Sequence, residues 1–183
     1  ISMRNFLVLR RTLTGERADT LADYFEQIQW KVQFPALVPE PAPPIGDQLP
    51  ISCERFSINE LRVVLQRLKG GKAAGVDDIP PDFWKALCDS DAACLALLRL
   101  LQRCWDEKEL PRSWRKACVV LLFKKGDATL PENYRPISLL AVGYKVLSAM
   151  LHRRLVEGGA EDRMRSSQYG FRPRRGTADA LMI

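Results

Sequence analysis

ACVVLLFKKGDATLPENYRPISLL, residues 117–140, decides how this 183-residue chain is read. Its first seven residues form a short run rich in β-branched and apolar side chains. The run is flanked by Lys116 and by Lys124-Lys125, and it predicts a buried strand. GDATLPEN supplies turn chemistry. YRPISLL predicts a second extended run. Pro136 has no backbone donor, which restricts that run to an edge or bulged strand. Paired as a hairpin, the two runs bring Lys124, Lys125 and Arg135 together at one edge of a small sheet. A triphosphate needs such a cluster, because lysine is a point charge and arginine a planar fork that holds two phosphate oxygens. An exposed hairpin whose charged edges resist aggregation accounts for the same residues, so both readings stand at this point.

Outward from the hairpin the pattern turns helical. Residues 142–156 place Val146, Leu147, Met150, Leu151 and Leu155 on one face, and Gly158-Gly159 closes the helix. Upstream, Ser57 and Glu60 form an S-x-x-E capping box, followed by Ile58, Leu61, Val64, Leu65 and Leu68 on one face and by Gly70-Gly71. Pro80-Pro81 opens a short helix through Phe83, Trp84 and Leu87. Ser90 or Asp91 caps a longer one carrying Leu95, Leu98, Leu101, Gln102 and Trp105, which ends before Pro111. Residues 20–30 place Leu21, Tyr24, Phe25 and Ile28 at helical spacing. The segment 33–52 holds six prolines, too many for a helix or central strand, and is read as an extended connector. Thr177 sits where it can cap a further helix.

Composition narrows the function. The net charge of +6 is uneven: residues 1–111 hold 14 Lys+Arg against 16 Asp+Glu, and residues 112–183 hold 14 against 6. An excess of +8 on the last 72 residues attracts polyanions, nucleic acid foremost; a basic surface kept for solubility is the alternative. The single histidine, His152, argues against a hydrolase built on a Ser–His or Cys–His pair. It also leaves too few soft ligands for a structural zinc site beside five scattered cysteines. An odd cysteine count suits a reducing, intracellular setting, and no apolar run reaches the roughly 18–20 residues that span a bilayer. Both ends read as cut, so a piece of a longer polypeptide is expected.

Two further clusters merit weighing. In FRPRRGT, Arg172, Arg174 and Arg175 stand between Gly170 and Gly176, with Tyr169 and Phe171 beside them. Arginines reach phosphates while an aromatic face takes a base, which suits a nucleic-acid strand. A solvated loop anchored by a buried Phe171 is the alternative. Asp77-Asp78 invites a metal reading, yet adjacent residues point apart and only Asp82 is near, so a cap or turn role is preferred.

The ordered segments GKAAGVDDIPPDFWKAL, LPRSWRKACVVLLFKKGDATLPENYRPISLLAVGYKVLSAMLHRRL and QYGFRPRRGTADAL together resemble the N-terminal half of the reverse transcriptase domain of non-LTR retrotransposons. Group II intron reverse transcriptases are more distant relatives. The resemblance covers roughly residues 55–183. It implies an α+β, mostly helical fragment with a small antiparallel β element, the fingers part of a right-hand polymerase fold. Helices are expected over residues 1–110, two or three antiparallel strands over 116–140 and a helix over 142–157. Residues 1–50, a helical segment and proline-rich linker, precede the domain, and residues 51–183 are its fingers and the start of the palm.

The resemblance also implies roles. Arg135 matches the arginine that contacts the triphosphate, and Lys125 and Lys124 the neighbouring basic position, which tips the hairpin toward phosphate binding. Gly75, Asp77, Ile79 and Pro80 match a G-x-D-x-I-P signature near the template. Tyr169, Gly170, Phe171, Arg172 and Gly176 match a segment close to template or primer, and Arg174 and Arg175 lie within it. The implied partners are an RNA template, a DNA primer, a dNTP and the remainder of the polymerase chain, with no membrane. The implied cofactor is a pair of Mg²⁺ ions held by palm aspartates. The F-x-D and A-D-D motifs that supply those aspartates do not occur here, so the segment is expected to be inert alone. A nuclear location follows from the resemblance. The alternative function is a non-catalytic basic RNA-binding module, or a decayed or domesticated remnant of such an element.

Overall fold

The computed structural model describes residues 7–9, 16–29 and 47–182. The predicted connector falls outside the described residues up to position 46. From 47 onward it runs without helix or strand until the cap at Ser57. About 53% of the described residues are helical and the strands among them form one small sheet, an α+β arrangement. The described residues fall into two compact units. One comprises those of Ile1–Pro43 and Arg55–Met150, the other those of Pro44–Glu54 and Leu151–Ile183.

In the first unit, helix α1 (Glu16–Tyr24) passes into one π-type turn, Phe25–Gln29. Leu21 and Phe25 are buried as the spacing predicts, but Ile28 is 66% exposed. The wider winding of the π turn carries Ile28 off the face it would hold in an α-helix. Helix α2 (Ile58–Gln66) starts at the expected capping box. Glu60 N–H donates to Ser57 Oγ at 3.3 Å, and Ser57 N–H donates to the Glu60 carboxylate at 2.7 Å. Leu61 and Leu65 are fully buried, each contributing about 1.5–3 kcal/mol by leaving water. The helix stops before the glycine pair, because Leu68 N–H turns back to the Leu65 carbonyl at 3.1 Å in a tight final turn.

Helix α3 (Pro81–Ala86) begins with Pro81 in its first turn, where a missing N–H costs nothing. Helix α4 (Asp91–Glu107) is capped by Ser90. Its buried stripe is Cys94, Leu97, Leu98, Leu101 and Cys104, while Leu95, expected on that face, is exposed. Gln102 donates to the Phe56 carbonyl at 2.7 Å, and Phe56 meets Trp105 edge-on. All five cysteines are free thiols.

Strand β2 (Ala117–Phe123) pairs antiparallel with β3 (Tyr134–Leu140), and Pro136 lies opposite Leu121 on an edge strand. The sheet has a third member that no sequence pattern announced: β1 (Leu7–Leu9) pairs parallel with β2, so the sheet is mixed. Helix α5 (Val142–Glu157) follows directly, with Val142, Val146, Leu147 and Met150 buried. Gly143 permits its close approach, since a Cβ there would stand 2.3 Å from the Trp114 ring.

In the second unit the expected apolar face of α5 does not continue. Leu155 is exposed, and Arg154, one residue earlier, is 7% exposed. Its guanidinium donates to the carbonyls of Ser52 at 3.1 Å and Glu54 at 2.6 Å, so burying the charge is offset by charge-assisted hydrogen bonds. A single 3₁₀ turn, Ala160–Arg163, leads to the arginine-rich loop, and helix α6 (Thr177–Leu181) follows. Its cap is Gly176 rather than Thr177, with the Gly176 N–H on the Asp179 carboxylate at 2.7 Å.

Candidate nucleotide and nucleic-acid contacts

The hairpin leaves the core as it extends: Ala117, Cys118 and Val119 are buried, whereas Leu122 and Phe123 are exposed. Register fixes what each face carries. Arg135 lies opposite Leu122, and Val120 opposite Ile137. Pairing continues one step further, with Lys124 N–H on the Asn133 carbonyl at 2.8 Å. Side chains alternate along a strand, so Lys124, Leu122, Arg135 and Ile137 share one face. Lys124 is then the diagonal neighbour of Arg135, about 7–8 Å away and somewhat closer between Cβ atoms. Leu122 and Ile137, 53% and 44% exposed, give that face an apolar floor. The opposite face holds Phe123 against Tyr134, ring centres 5.4 Å apart.

The connecting loop is built by its own side chains. The Asp127 carboxylate accepts from the Thr129 hydroxyl at 2.7 Å and from its N–H at 2.8 Å. Those two donors, the hydroxyl foremost, hold the Asp127 carboxyl below its ordinary range. Asn133 Nδ2 donates to the Asp127 carbonyl at 2.8 Å, and the Tyr134 hydroxyl to that of Ala128 at 2.9 Å. Lys124 Nζ donates to the Glu132 carbonyl at 3.1 Å. Lys125 occupies the bend before Gly126, whose φ of 93° suits glycine. Among the described residues, neither Lys125 nor Arg135 has a side-chain partner. The hairpin thus presents two uncommitted cations and one already tied to its loop.

The G-x-D-x-I-P residues sit at the opposite end of the hairpin. Gly75 is buried, and a Cβ on it would stand 2.5–2.7 Å from backbone atoms of Leu140 and Ala141. Leu140 is five residues beyond Arg135, about 17 Å along the strand. Asp78, at φ 59°, closes a turn onto the Gly75 carbonyl at 3.3 Å. The Asp77 carboxylate accepts weakly from Ile79 N–H at 3.4 Å, the turn role expected of it. Pro80 is extended and immediately precedes α3. In this structure the signature seats a loop against the hairpin root.

In the second unit the arginine loop sorts its members. Arg172 donates to the carbonyls of Arg165 at 3.4 Å and Glu161 at 3.3 Å. Arg175 donates to the Ser166 carbonyl at 3.1 Å and lies 5.2 Å from the Tyr169 ring centre. Gly170 and Gly176 are exposed, and Gln168 Nε2 donates to the Gly170 carbonyl at 3.0 Å. Phe171 is not a buried anchor, being wholly exposed. Among the described residues no group of three metal-ligating side chains occurs. No helix among them is long and apolar enough to cross a membrane.

The hairpin and the arginine-rich loop each carry several cations, and comparison with known proteins gives the class. No protein-family model matches the chain. It is 31% identical over 125 residues to the Transposon TX1 uncharacterized 149 kDa protein of Xenopus laevis, covering 64% of this chain and 9% of that protein. It is 32% identical over 149 residues to the Putative 115 kDa protein in type-1 retrotransposable element R1DM of Drosophila melanogaster, covering 80% and 14%. It is 27% identical over 174 residues to the Probable RNA-directed DNA polymerase from transposon BS of Drosophila melanogaster, covering 91% and 19%. The chain is thus a homologue of non-LTR retrotransposon proteins, one of which is named as a probable RNA-directed DNA polymerase. It spans about a tenth to a fifth of the length of these relatives.

Proposed function

We propose that this chain is the fingers part of an RNA-directed DNA polymerase, and that the β2–β3 hairpin holds the triphosphate of the incoming dNTP. The observation that carries this reading is the pairing of Leu122 with Arg135. It puts Arg135 and Lys124 on one exposed face above Leu122 and Ile137. A guanidinium fork takes two phosphate oxygens, and the ammonium groups add point charges where negative charge accumulates on the departing pyrophosphate. The apolar floor beside them suits a sugar or base edge. Lys125 and Arg135, uncommitted among the described residues, are the two cations available without breaking a bond of the folded hairpin.

The 169–176 loop is assigned to template or primer strand. The catalytic carboxylates, and the divalent metal that this reaction class requires in general, are assigned to the remainder of the polymerase chain. On this reading the 183 residues alone incorporate no nucleotide, and the polymerase works in the nucleus on chromosomal DNA. The test is primer extension by the longer polypeptide that carries the catalytic aspartates. Arg135→Ala should lower the rate about 10²–10³-fold, the size of effect seen for other preorganised charge-stabilising donors. Near-normal extension removes the assigned role.

A further inference from the structure

We propose that Phe171 is a stacking platform for one base of a single-stranded nucleic acid, with Arg174 and Arg165 on its phosphates. The rest of the arginine loop is the frame that presents them. The inference rests on the nucleic-acid reading above for its choice of ligand.

Phe171 is 110% exposed, more open than in a reference peptide, and its backbone lies at φ 63°. Both features are unfavourable for a bulky apolar residue: left-handed backbone costs about 1–2 kcal/mol outside glycine, and the ring gains nothing from burial. Such a conformation persists where surrounding bonds over-determine it. Those bonds are present. Arg172 is fastened to two backbone carbonyls, Arg175 to a carbonyl and the Tyr169 ring, and Gln168 to the Gly170 carbonyl. Arg174, which with Pro173 lies between the fastened arginines, also stands at positive φ, 59°, and is exposed. Among the described residues neither Arg174 nor Arg165 has a side-chain partner. Phe171 rims an open cleft of about 560 Å³ that Met164, Arg165, Gln168 and Arg172 also line.

Charge selects the occupant. Residues 163–176 contain five arginines and no carboxylate. Seating Phe171 in an apolar protein surface would drag Arg172 and Arg174 toward that surface and desolvate them without a counter-charge. A nucleic-acid strand offers a π-face for the ring and phosphates for the guanidinium groups in the same ligand. Single strands expose that face, whereas a duplex hides it in the stack.

Binding of this chain to a fluorescein-labelled dodecamer of uridine, followed by anisotropy between 50 and 200 mM salt, tests the assignment. Phe171→Ala should weaken binding about 5- to 150-fold with an unchanged salt slope, and Phe171→Trp should restore it. Arg174→Ala should lower the slope of log K against log salt by about 0.7, one single-strand phosphate. An unchanged affinity for Phe171→Ala overturns the proposal. So does rescue by Phe171→Leu as good as by Trp, which would make the ring a packing group for protein. The hairpin reading is judged separately, by Arg135→Ala in primer extension, so either can fail while the other stands.

Discussion

Replacing Gly75 with alanine separates a packing role from a ligand role at the first of the signature positions. The added Cβ would meet the Ala141 nitrogen at 2.5 Å, the Leu140 carbonyl carbon at 2.6 Å and the Ala141 Cα at 2.7 Å. Ordinary contacts of this kind lie near 3.5–4.0 Å, so the loop or the β3–α5 junction must retreat by about 1 Å. No flexible side chain is available to yield, because all three atoms are backbone. Overpacking of this sort costs about 1–3 kcal/mol, and the upper half of that range fits an unyielding neighbour. Against it stands about 0.4–1 kcal/mol gained from a stiffer unfolded chain, since Gly75 is not at positive φ and alanine can adopt its backbone. A net loss of about 2 kcal/mol is expected. Urea unfolding followed by the fluorescence of Trp84 and Trp114 should show a lower midpoint at unchanged slope, and the melting temperature should fall by roughly 4–8 °C. Oligonucleotide affinity per folded molecule should not change. Full stability combined with lost affinity would refute the packing argument and return Gly75 to the template surface.

Other perturbations probe the second unit and the hairpin loop. Arg154→Met should destabilise the second unit by about 2–4 kcal/mol, because the Ser52 and Glu54 carbonyls lose charged donors. Amide exchange over residues 51–54 should accelerate, with Arg154→Lys recovering only part of the loss. Asp127 titrates below its ordinary range because Thr129 donates to its ionised form. Its contribution to loop order is therefore complete above the unfolded value of about 3.9 and is lost as pH falls through the lower folded value. Thr129→Val should move the Asp127 carboxyl titration upward toward that ordinary value when followed by NMR, and an unmoved titration would show that the hydroxyl is not its partner.

The elements that the sequence announced are those specified by neighbours along the chain. Ser57 and Glu60 lie three residues apart, so their reciprocal cap needed nothing but a helix turn. Pro136 lacks a donor wherever it is placed, which confines β3 to an edge. The hairpin was legible because two apolar runs flank a segment rich in turn residues, and the cations then followed at its distal end. Helix faces were read less well where winding or burial departs from a regular α pattern. Ile28 turned out with the π turn, and Arg154 took the buried place that spacing gave to Leu155.

What remained for the tertiary structure depends on contacts between residues far apart in sequence. The pairing of Leu7–Leu9 with β2 joins segments more than 100 residues apart, and three residues carry too little periodicity to announce it. Gly75 matches a signature, but only its distance from Leu140 and Ala141 shows why a side chain cannot fit there. The sequence made Arg172, Arg174 and Arg175 equivalent, three cations in one short run. Folding distinguishes them, because Arg172 and Arg175 reach backbone carbonyls that Arg174, turned by its left-handed backbone, does not. Charge and local pattern are properties of composition and spacing, whereas which charge stays uncommitted is set by where the surrounding carbonyls come to rest.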